Sequence, residues 1–169
     1  MLAPTAKALA DAMGVSLTVD FTEVTLDTPF YGVYRGQSAL PMEPDRLAYL
    51  TNDIIGSCRV YDYENSEYLP VYTLEKADGS DPYEIFLSGP KSLLRIENPN
   101  AQAERKLLVF RDSFAARLLP LLAEGYSEIT LADIRYLSPS MLGKCIDFTV
   151  QDVLLLYSTS VLNDSSTIK

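Results

Sequence analysis

The residues of this chain that could do chemistry meet in one stretch, KLLVFRDSFAARLLPLLAEG (106–125). The run KLLVF is nearly continuous in apolar residues, which is typical of a parallel strand covered on both faces. Ser113 follows closely, where a helix is predicted to begin. Because ligands in open α/β sheets bind beyond the carboxyl ends of the strands, a hydroxyl there could attack an acyl group. Backbone N–H groups of the first helical turn would then stabilise the developing oxyanion.

Ser113 also fits a purely structural role. Asp and Ser are favoured helix N-caps, worth about 1 kcal/mol relative to Ala, so Asp112 or Ser113 could do no more than cap the helix. A nucleophilic serine also needs a base, usually a histidine, and the chain contains none. A Ser–Lys pair would draw on Lys91, Lys106 or Lys144, and the spacing favours none of them. The pattern alone leaves catalysis and capping both open.

The last third of the chain alternates between strand and helix patterns. Strands are predicted over 106–110, 128–134 and 152–160, and helices over 114–124 and 138–150. This β-α-β-α-β order implies parallel strands joined by right-handed crossovers. Pro120 should remove a hydrogen bond from the first of these helices and kink it. Asp133 ends its strand at the same sheet edge as Ser113, either as a structural residue or as part of a site.

The first two thirds of the chain are more extended and aromatic. We expect a helix over 4–13 ended by Gly14 and strands or extended segments over 15–26 and 29–36. We also expect a short helix opening at Pro44 within 43–54, a turn at 64–67 and a short strand or extended piece over 83–89 that ends at Gly89. A tyrosine-rich segment could stack against sugars, or its rings could be strand residues half buried against the domain. Its members are Tyr61, Tyr63, Tyr68, Tyr72 and Tyr83.

Composition limits the classes of function. The 169 residues are 47% hydrophobic and 22% charged, which predicts one globular domain over 1–169 with a sizeable core. A net charge of −9 and the absence of a basic stripe disfavour nucleic acid and anionic membranes as partners. Cys58 and Cys145 are too few for a disulfide scaffold and are interpreted as small buried side chains. We expect no metal, no membrane segment and, as the sequence stands, no signal peptide.

Several stretches, in order along nearly the whole chain, resemble one known family. They are ALADAMG, DTPFYGVYRG, DPYEIFLSG, KLLVFRDSFAARLLPLLAEGYSEITLADIRYL and DVLLLYSTSVL, of which the fourth is the most specific. Together they resemble the DHHW-motif proteins, bacterial relatives of the SGNH hydrolases and of the alginate O-acetylation proteins. The resemblance makes Ser113 the counterpart of the nucleophile and Gly89 a candidate oxyanion-hole donor. Pro90 and Lys91 stand where the family pattern has an asparagine.

The resemblance also implies a fold, and the chain departs from the family pattern in one respect. It implies an α/β fold, an SGNH-hydrolase-like three-layer sandwich with a mainly parallel sheet and an extended tyrosine-rich insertion. It places the catalytic Asp and His in an Asp-His-His-Trp motif preceding the helix 4–13, whereas this chain holds neither His nor Trp. We therefore expect an N-terminally incomplete sheet and incomplete chemistry, in a truncated product, a fragment or a natural remnant. The location would be extracellular or in the cell envelope for a fragment of an exported member, and cytoplasmic if Met1 is the true start.

Two functions follow from these observations. The first is a serine esterase or O-acetyl transferase scaffold for acylated carbohydrate, without a cofactor and catalytically incomplete on its own. The second is a non-catalytic binding module that associates through the incomplete edge of its sheet, for instance as a homodimer. A third hypothesis keeps the α/β architecture outside this family, and a fold without a parallel strand leading into Ser113 would favour it.

Overall fold

The described residues of the computed structural model, 2–32, 43–146, 148 and 151–164, build a six-stranded mixed sheet, a two-stranded ribbon and short helices. The strands are β1 (Thr22–Phe30), β2 (Asp45–Thr51), β3 (Arg59–Asp62), β4 (Glu67–Pro70), β5 (Leu93–Glu97), β6 (Lys106–Arg111), β7 (Glu128–Ala132) and β8 (Gln151–Leu156). The α-helices are α1 (Leu2–Ala12), α2 (Asp53–Ser57), α3 (Pro139–Cys145) and α4 (Thr159–Asn163). Helices of the 3-10 type cover Leu74–Asp78, Pro82–Ile85, Ser113–Arg117 and Leu119–Gly125.

The order of strands in the main sheet is β4-β3-β5-β7-β6-β8, while β1 and β2 form the antiparallel ribbon. Strand β6 pairs in parallel with β7 on one side and with β8 on the other, which confirms the parallel strands predicted for the last third. The pairs β3–β4, β3–β5 and β5–β7 are antiparallel. A mainly parallel sheet was therefore the wrong prediction for the remaining strands, because the tyrosine-rich segment enters the sheet as a hairpin and needs no crossover.

Strand β6 is buried on both faces of the sheet. Leu107 and Val109 point into the larger apolar cluster, whereas Leu108, between them, points into the smaller one. Since successive strand residues face opposite sides, a strand covered on both faces must be apolar at every position. The continuous apolar run of the sequence is thus explained by packing on two sides.

Helix α1 packs against the 3-10 helix Leu119–Gly125 on the face of the larger cluster. Ala6 and Ala10 of α1 are fully buried, and Gly14 ends the helix in a left-handed conformation, with a φ of 71°. The predicted helix and its stop signal are confirmed. Gly125 is needed for the close approach of the chain ahead of β1, since a Cβ atom there would overlap the side chain of Val15.

The helix predicted within 43–54 is wrong, because most of that segment is strand β2. Its register with β1 runs from Thr51 opposite Thr22 to Asp45 opposite Phe30. The sequence signal for a helix at Pro44 was local, whereas pairing with a distant strand decided the conformation. A helix begins only at α2, where the Asn52 side chain caps it by accepting from the Ile55 N–H at 2.9 Å.

Two further segments differ from their predictions. The segment predicted as a short strand or extended piece over 83–89 begins in a 3-10 helix, Pro82–Ile85, and continues into a tight turn. The helix predicted over 114–124 is divided into two 3-10 helices that meet at Leu118. Pro120 lies at the start of the second 3-10 helix, where a missing N–H destabilises a helix least. The chain therefore has a break between two helices in place of the expected kink.

Some predictions lie partly outside the described residues. Of the extended segment 29–36, residues 33–36 lie outside, as do 147, 149 and 150 of the helix predicted over 138–150. The predicted turn is confirmed, since 63–66 join β3 to β4. Within the described parts of the chain, every helix is too short or too polar to cross a membrane.

Candidate functional site

Three neighbouring parallel strands deliver polar side chains to one edge of the sheet. β6 is followed by Asp112 and Ser113, β7 by Asp133, and β8 by Tyr157 and Ser158. The ladders end with the pairs Phe110–Ala132 and Arg111–Leu156, so the residues that follow lie side by side. The chain leaves β6 for β7 and then returns across β6 to β8, so this edge has the reversal of direction at which open α/β sheets bind ligands.

Asp112, rather than Ser113, caps the helix that follows β6. Its carboxylate is buried, and Oδ1 accepts the N–H of Phe114 at 3.0 Å. Oδ2 accepts two further bonds from Ser158, from the N–H at 2.8 Å and from the hydroxyl at 2.6 Å. With both oxygens engaged, Asp112 acts as a brace between β6 and β8. The capping role that the sequence left open therefore belongs to Asp112.

Ser113 is the first residue of the 3-10 helix Ser113–Arg117, and its side chain is exposed to solvent. Among the described residues, no side chain or backbone group forms a hydrogen bond with its hydroxyl. Its N–H lies at the first helical position, where no acceptor exists within the helix. The structure thus places an available hydroxyl and an available N–H donor together at the end of a parallel strand.

The lysines that could have formed a Ser–Lys pair lie in unsuitable places. Lys106 starts β6 and Ser113 follows its end, which separates them by roughly 20 Å at ~3.3 Å per residue. The Nζ atom of Lys91 binds the buried Asp62 carboxylate at 2.8 Å, and this hydrogen bond raises the pKa of Lys91. A charged ammonium cannot take a proton from a hydroxyl. Lys144 is an exposed residue of α3.

Asp133 lies at the expected edge, but its carboxylate is occupied. Arg135 holds it in a bidentate pair, with Nε to Oδ1 at 2.9 Å and Nη2 to Oδ2 at 2.6 Å. The Asp133 side chain is 1% exposed, and the hydrogen bond that Arg135 donates to it raises the pKa of Arg135. This pair fixes the turn after β7 and leaves Asp133 without a free oxygen for a substrate proton.

Arg111 is a functional candidate that sequence reasoning missed. It ends β6, is 1% exposed, and reaches the carbonyl of Asp112 at 3.5 Å and that of Lys91 at 3.4 Å. Burial lowers its pKa, and its Nε has no partner among the described residues. These long bonds connect the turn of Ser113 to the segment after Gly89. The sequence signal that could have indicated Arg111 is a charged residue at the end of an apolar strand.

Gly89 belongs to a strained turn beside this edge. Leu87, Ser88 and Gly89 have φ values of 54°, 59° and 89°, and the N–H of Gly89 donates to the carbonyl of Phe86 at 3.2 Å. Left-handed backbone at two consecutive non-glycine residues costs about 1–3 kcal/mol each and often marks a functional segment. The Nζ atom of Lys76 supports the turn by donating to the Ser88 carbonyl at 2.8 Å.

Three members of the tyrosine-rich segment, Tyr61, Tyr63 and Tyr68, lie at the far end of the strand order from β8. The ring of Tyr61 packs edge-on against Tyr63 and at a tilt against Tyr68, with ring centroids 4.9 and 5.1 Å apart. The guanidinium of Arg59 lies 4.3 Å from the centre of the Tyr68 ring. Tyr61 and Tyr63 are half buried, while Tyr68 is exposed. These three rings pack on one another and on arginine, away from Ser113. Tyr83 lies nearer the candidate site, since burial and the charge of Asp112 act to raise its pKa.

A separate cleft of about 530 Å³ opens between the end of β1 and the turn 78–82. Its walls are joined by a hydrogen bond from the Thr28 hydroxyl to the Asp78 carboxylate at 3.2 Å. Asp112, Ser113 and Ser158 are not among the residues that line it. Both cysteines are free thiols, Cys58 buried and Cys145 half buried, and burial raises the pKa of Cys58 to about 11.

Comparisons with known proteins agree on the fold. No protein-family model and no curated protein matches the sequence. A DHHW family protein from Eubacterium siraeum DSM 15702 superposes with a TM-score of 0.76 at 21% identity, covering 98% of this chain and 57% of that one. Bacillus cereus PatB1 with a sulfonyl adduct gives a TM-score of 0.69 at 19% identity, covering 93% of this chain and 56% of that one.

A second structure of Bacillus cereus PatB1 gives a TM-score of 0.67 at 18% identity, with 95% of this chain and 57% of that chain covered. The chain therefore spans little more than half the length of these neighbours. Identities near 20% show a common architecture and leave residue roles open. The chain has the mixed α/β fold of a DHHW family protein.

Proposed function

We propose that this chain is the serine-bearing part of an SGNH-hydrolase-like, three-layer acyl-transfer scaffold of the DHHW type. Ser113 is the nucleophile-equivalent residue, and the substrate class is acylated carbohydrate. The observation that carries the proposal is the position of Ser113, whose exposed hydroxyl has no hydrogen-bond partner among the described residues and lies on a turn held by the buried Asp112 carboxylate. The fold shared with a DHHW family protein and with a PatB1 structure that contains a sulfonyl adduct supports it.

In the proposed reaction, the Ser113 oxygen attacks an acyl carbonyl carbon and displaces the sugar oxygen, giving an acyl-enzyme. Water or another hydroxyl then takes the acyl group and restores the serine. The Ser113 N–H is the first candidate oxyanion donor, and the Gly89 N–H is a second that would have to leave the Phe86 carbonyl, to which it now donates at 3.2 Å. The serine proton requires a base, and the 169 residues contain no histidine. The base must then come from outside these residues, so the chain alone is catalytically incomplete.

The test is covalent labelling with phenylmethanesulfonyl fluoride, read by intact-protein and peptide mass spectrometry. The Ser113 oxygen forms a bond to sulfur, the S–F bond breaks, and proton and fluoride leave to the buffer. We expect one adduct within 112–117 and faster labelling when imidazole is added as an external base. The Ser113→Ala variant should not be labelled, whereas Ser80→Ala, which removes an exposed serine elsewhere, should label normally. Equal labelling of the parent and Ser113→Ala, or no adduct with imidazole, would refute the assignment.

A second candidate function is a non-catalytic module that self-associates through β8. This strand is at one end of the main sheet, and its Val153 and Leu155 side chains are 55% and 69% exposed. An edge strand with exposed apolar residues can pair with the same strand of a second copy about a two-fold axis. We expect a dimer by light scattering and a monomer after Val153→Lys with Leu155→Lys. A parent that stays monomeric across a wide concentration range would exclude this function.

A further inference from the structure

Ser158 uses its hydroxyl in an unusual way. It is the N-cap residue of α4, yet its side chain makes no capping bond to that helix. The Ser158 hydroxyl instead donates to Oδ2 of Asp112 at 2.6 Å, across 46 residues of sequence. Because a hydroxyl has one proton, the contact of 2.9 Å between Ser158 Oγ and Ser160 Oγ must be donated by Ser160. An N-cap serine normally stabilises its own helix by about 1 kcal/mol, and here that bond is replaced by one to the turn of Ser113.

The bond from Ser158 lies beyond the last ladder pair of the two strands. Arg111 and Leu156 form that pair, so Asp112 and Ser158 are the next groups able to hold β6 and β8 together. The Asp112 carboxylate that receives Ser158 also receives the Phe114 N–H through its other oxygen. One rigid, buried carboxylate thus connects the end of β8 to the first turn of the helix that begins at Ser113.

We infer that Ser158 is a positioning residue for Ser113, an inference that rests on the proposed role of Ser113 as nucleophile. Three hydrogen bonds fix the Asp112 carboxylate, and two of them come from Ser158. Without the Ser158 hydroxyl, Oδ2 keeps a single backbone donor and the carboxylate can turn about its side-chain bonds. The Phe114 N–H then loses its fixed acceptor, and the backbone of Ser113 loses the orientation that presents its hydroxyl and N–H together.

A purely structural tie is the alternative, and the chain offers a matched control for it. The Ser127 hydroxyl donates to the carbonyl of Arg105 at 3.0 Å, beside the starts of β6 and β7 at the opposite edge of the sheet. Removing this hydroxyl also deletes one inter-segment hydrogen bond, in this case at the opposite edge of the same sheet. It leaves the bonds of Asp112 unchanged. A general loss of stability should slow labelling in both alanine variants, whereas a positioning role should slow it only in Ser158→Ala.

The experiment compares the rate of Ser113 sulfonylation by phenylmethanesulfonyl fluoride, with imidazole present, in Ser158→Ala, Ser158→Thr and Ser127→Ala. We expect Ser158→Ala to label about tenfold more slowly, the size expected for a lost hydrogen bond to a charged group. Ser158→Thr, which retains a hydroxyl, should recover most of the rate, and Ser127→Ala should match the parent. Thermal unfolding of each variant confirms that it is folded. Parental labelling of Ser158→Ala, or equal slowing by Ser127→Ala, overturns the inference.

Amide hydrogen exchange at Phe114 provides a second measurement that needs no reactive serine. Exchange should be faster in Ser158→Ala than in Ser127→Ala, because only the first variant loosens the Asp112 acceptor. Unchanged exchange in Ser158→Ala also overturns the inference. A parent that is never labelled refutes the proposed function, and with it this role for Ser158. A labelled parent with an unaffected Ser158→Ala refutes the positioning role alone.

Discussion

The substitution Gly125→Ala tests whether α1 is seated against the segment after Ser113 as the structure shows. Gly125 lies outside the left-handed region of the backbone, so an alanine meets no conformational barrier there. The new Cβ atom would, however, overlap the buried side chain of Val15. Overpacking of this kind costs about 1–3 kcal/mol, while the reduced entropy of the unfolded chain returns about 0.4–1 kcal/mol. We expect Gly125→Ala to lower the free energy of unfolding by about 1–2 kcal/mol.

A double-mutant cycle with Val15→Ala separates this clash from other effects. Val15→Ala alone removes two methyl groups from a buried site and should cost about 1–2 kcal/mol. In the double variant the space vacated by Val15 accepts the new methyl group. The two costs should therefore not add, and the double variant should be about as stable as Val15→Ala.

The assay is equilibrium unfolding in urea, followed by circular dichroism, with the midpoint and slope fitted for each variant. Gly143→Ala is the control, since a Cβ atom at Gly143 meets no atom within 4 Å and lies in helix α3. That variant should be neutral or more stable by up to about 1 kcal/mol. Additive losses in the cycle, or a stable Gly125→Ala, would show that Val15 does not pack on Gly125.

Three further predictions concern ionisation, backbone strain and thiol reactivity. Burial acts to raise the pKa of Asp62, but its hydrogen bonds, led by that from Lys91, outweigh burial and lower it from 3.8. Asp62 should therefore stabilise the fold fully above pH 3.8 and lose that contribution as pH falls through its folded pKa. In urea unfolding between pH 2 and 6, the free energy of unfolding of Asp62→Asn should depend less on pH than that of the parent. Gly89→Ala, at a φ of 89°, should cost about 1–3 kcal/mol in the same assay, and a neutral result would contradict the turn. Iodoacetamide at pH 8 should modify Cys145 before Cys58, whose burial raises its pKa to about 11, with peptide mass spectrometry showing the order.

The parallel strands could be predicted because their signals are local. The run 106–110 is apolar at successive positions, and the structure buries Leu107 and Leu108 on opposite faces of the sheet. The segment 45–51 carries no such signal, because Leu47 faces the core only through the pairing of its strand with the separate strand β1. Pairing between distant segments is decided by tertiary contacts, which a propensity or a local start signal does not contain.

The candidate site shows the same division between local and distant information. Asp112 and Ser113 could both be recognised as candidates, since they follow an apolar strand and open a helix. Assigning the cap to Asp112 requires the contact with Ser158, 46 residues further along the chain. Ser158 donates two hydrogen bonds to the Asp112 carboxylate at the edge of the sheet. Only the contact with β8 shows that Asp112 is the helix cap and that Ser113 carries the available hydroxyl.

The charged groups around Ser113 explain why a base is missing from the described residues. Asp112 is bound to Ser158 and Phe114, and Asp133 forms a bidentate pair with Arg135. Both acids that follow the central parallel strands are thus engaged in holding turns, and neither has a free oxygen directed at the Ser113 hydroxyl. Under the proposed function, these contacts hold Ser113 in place without activating it. Activation would then depend on a basic group supplied to this edge from elsewhere.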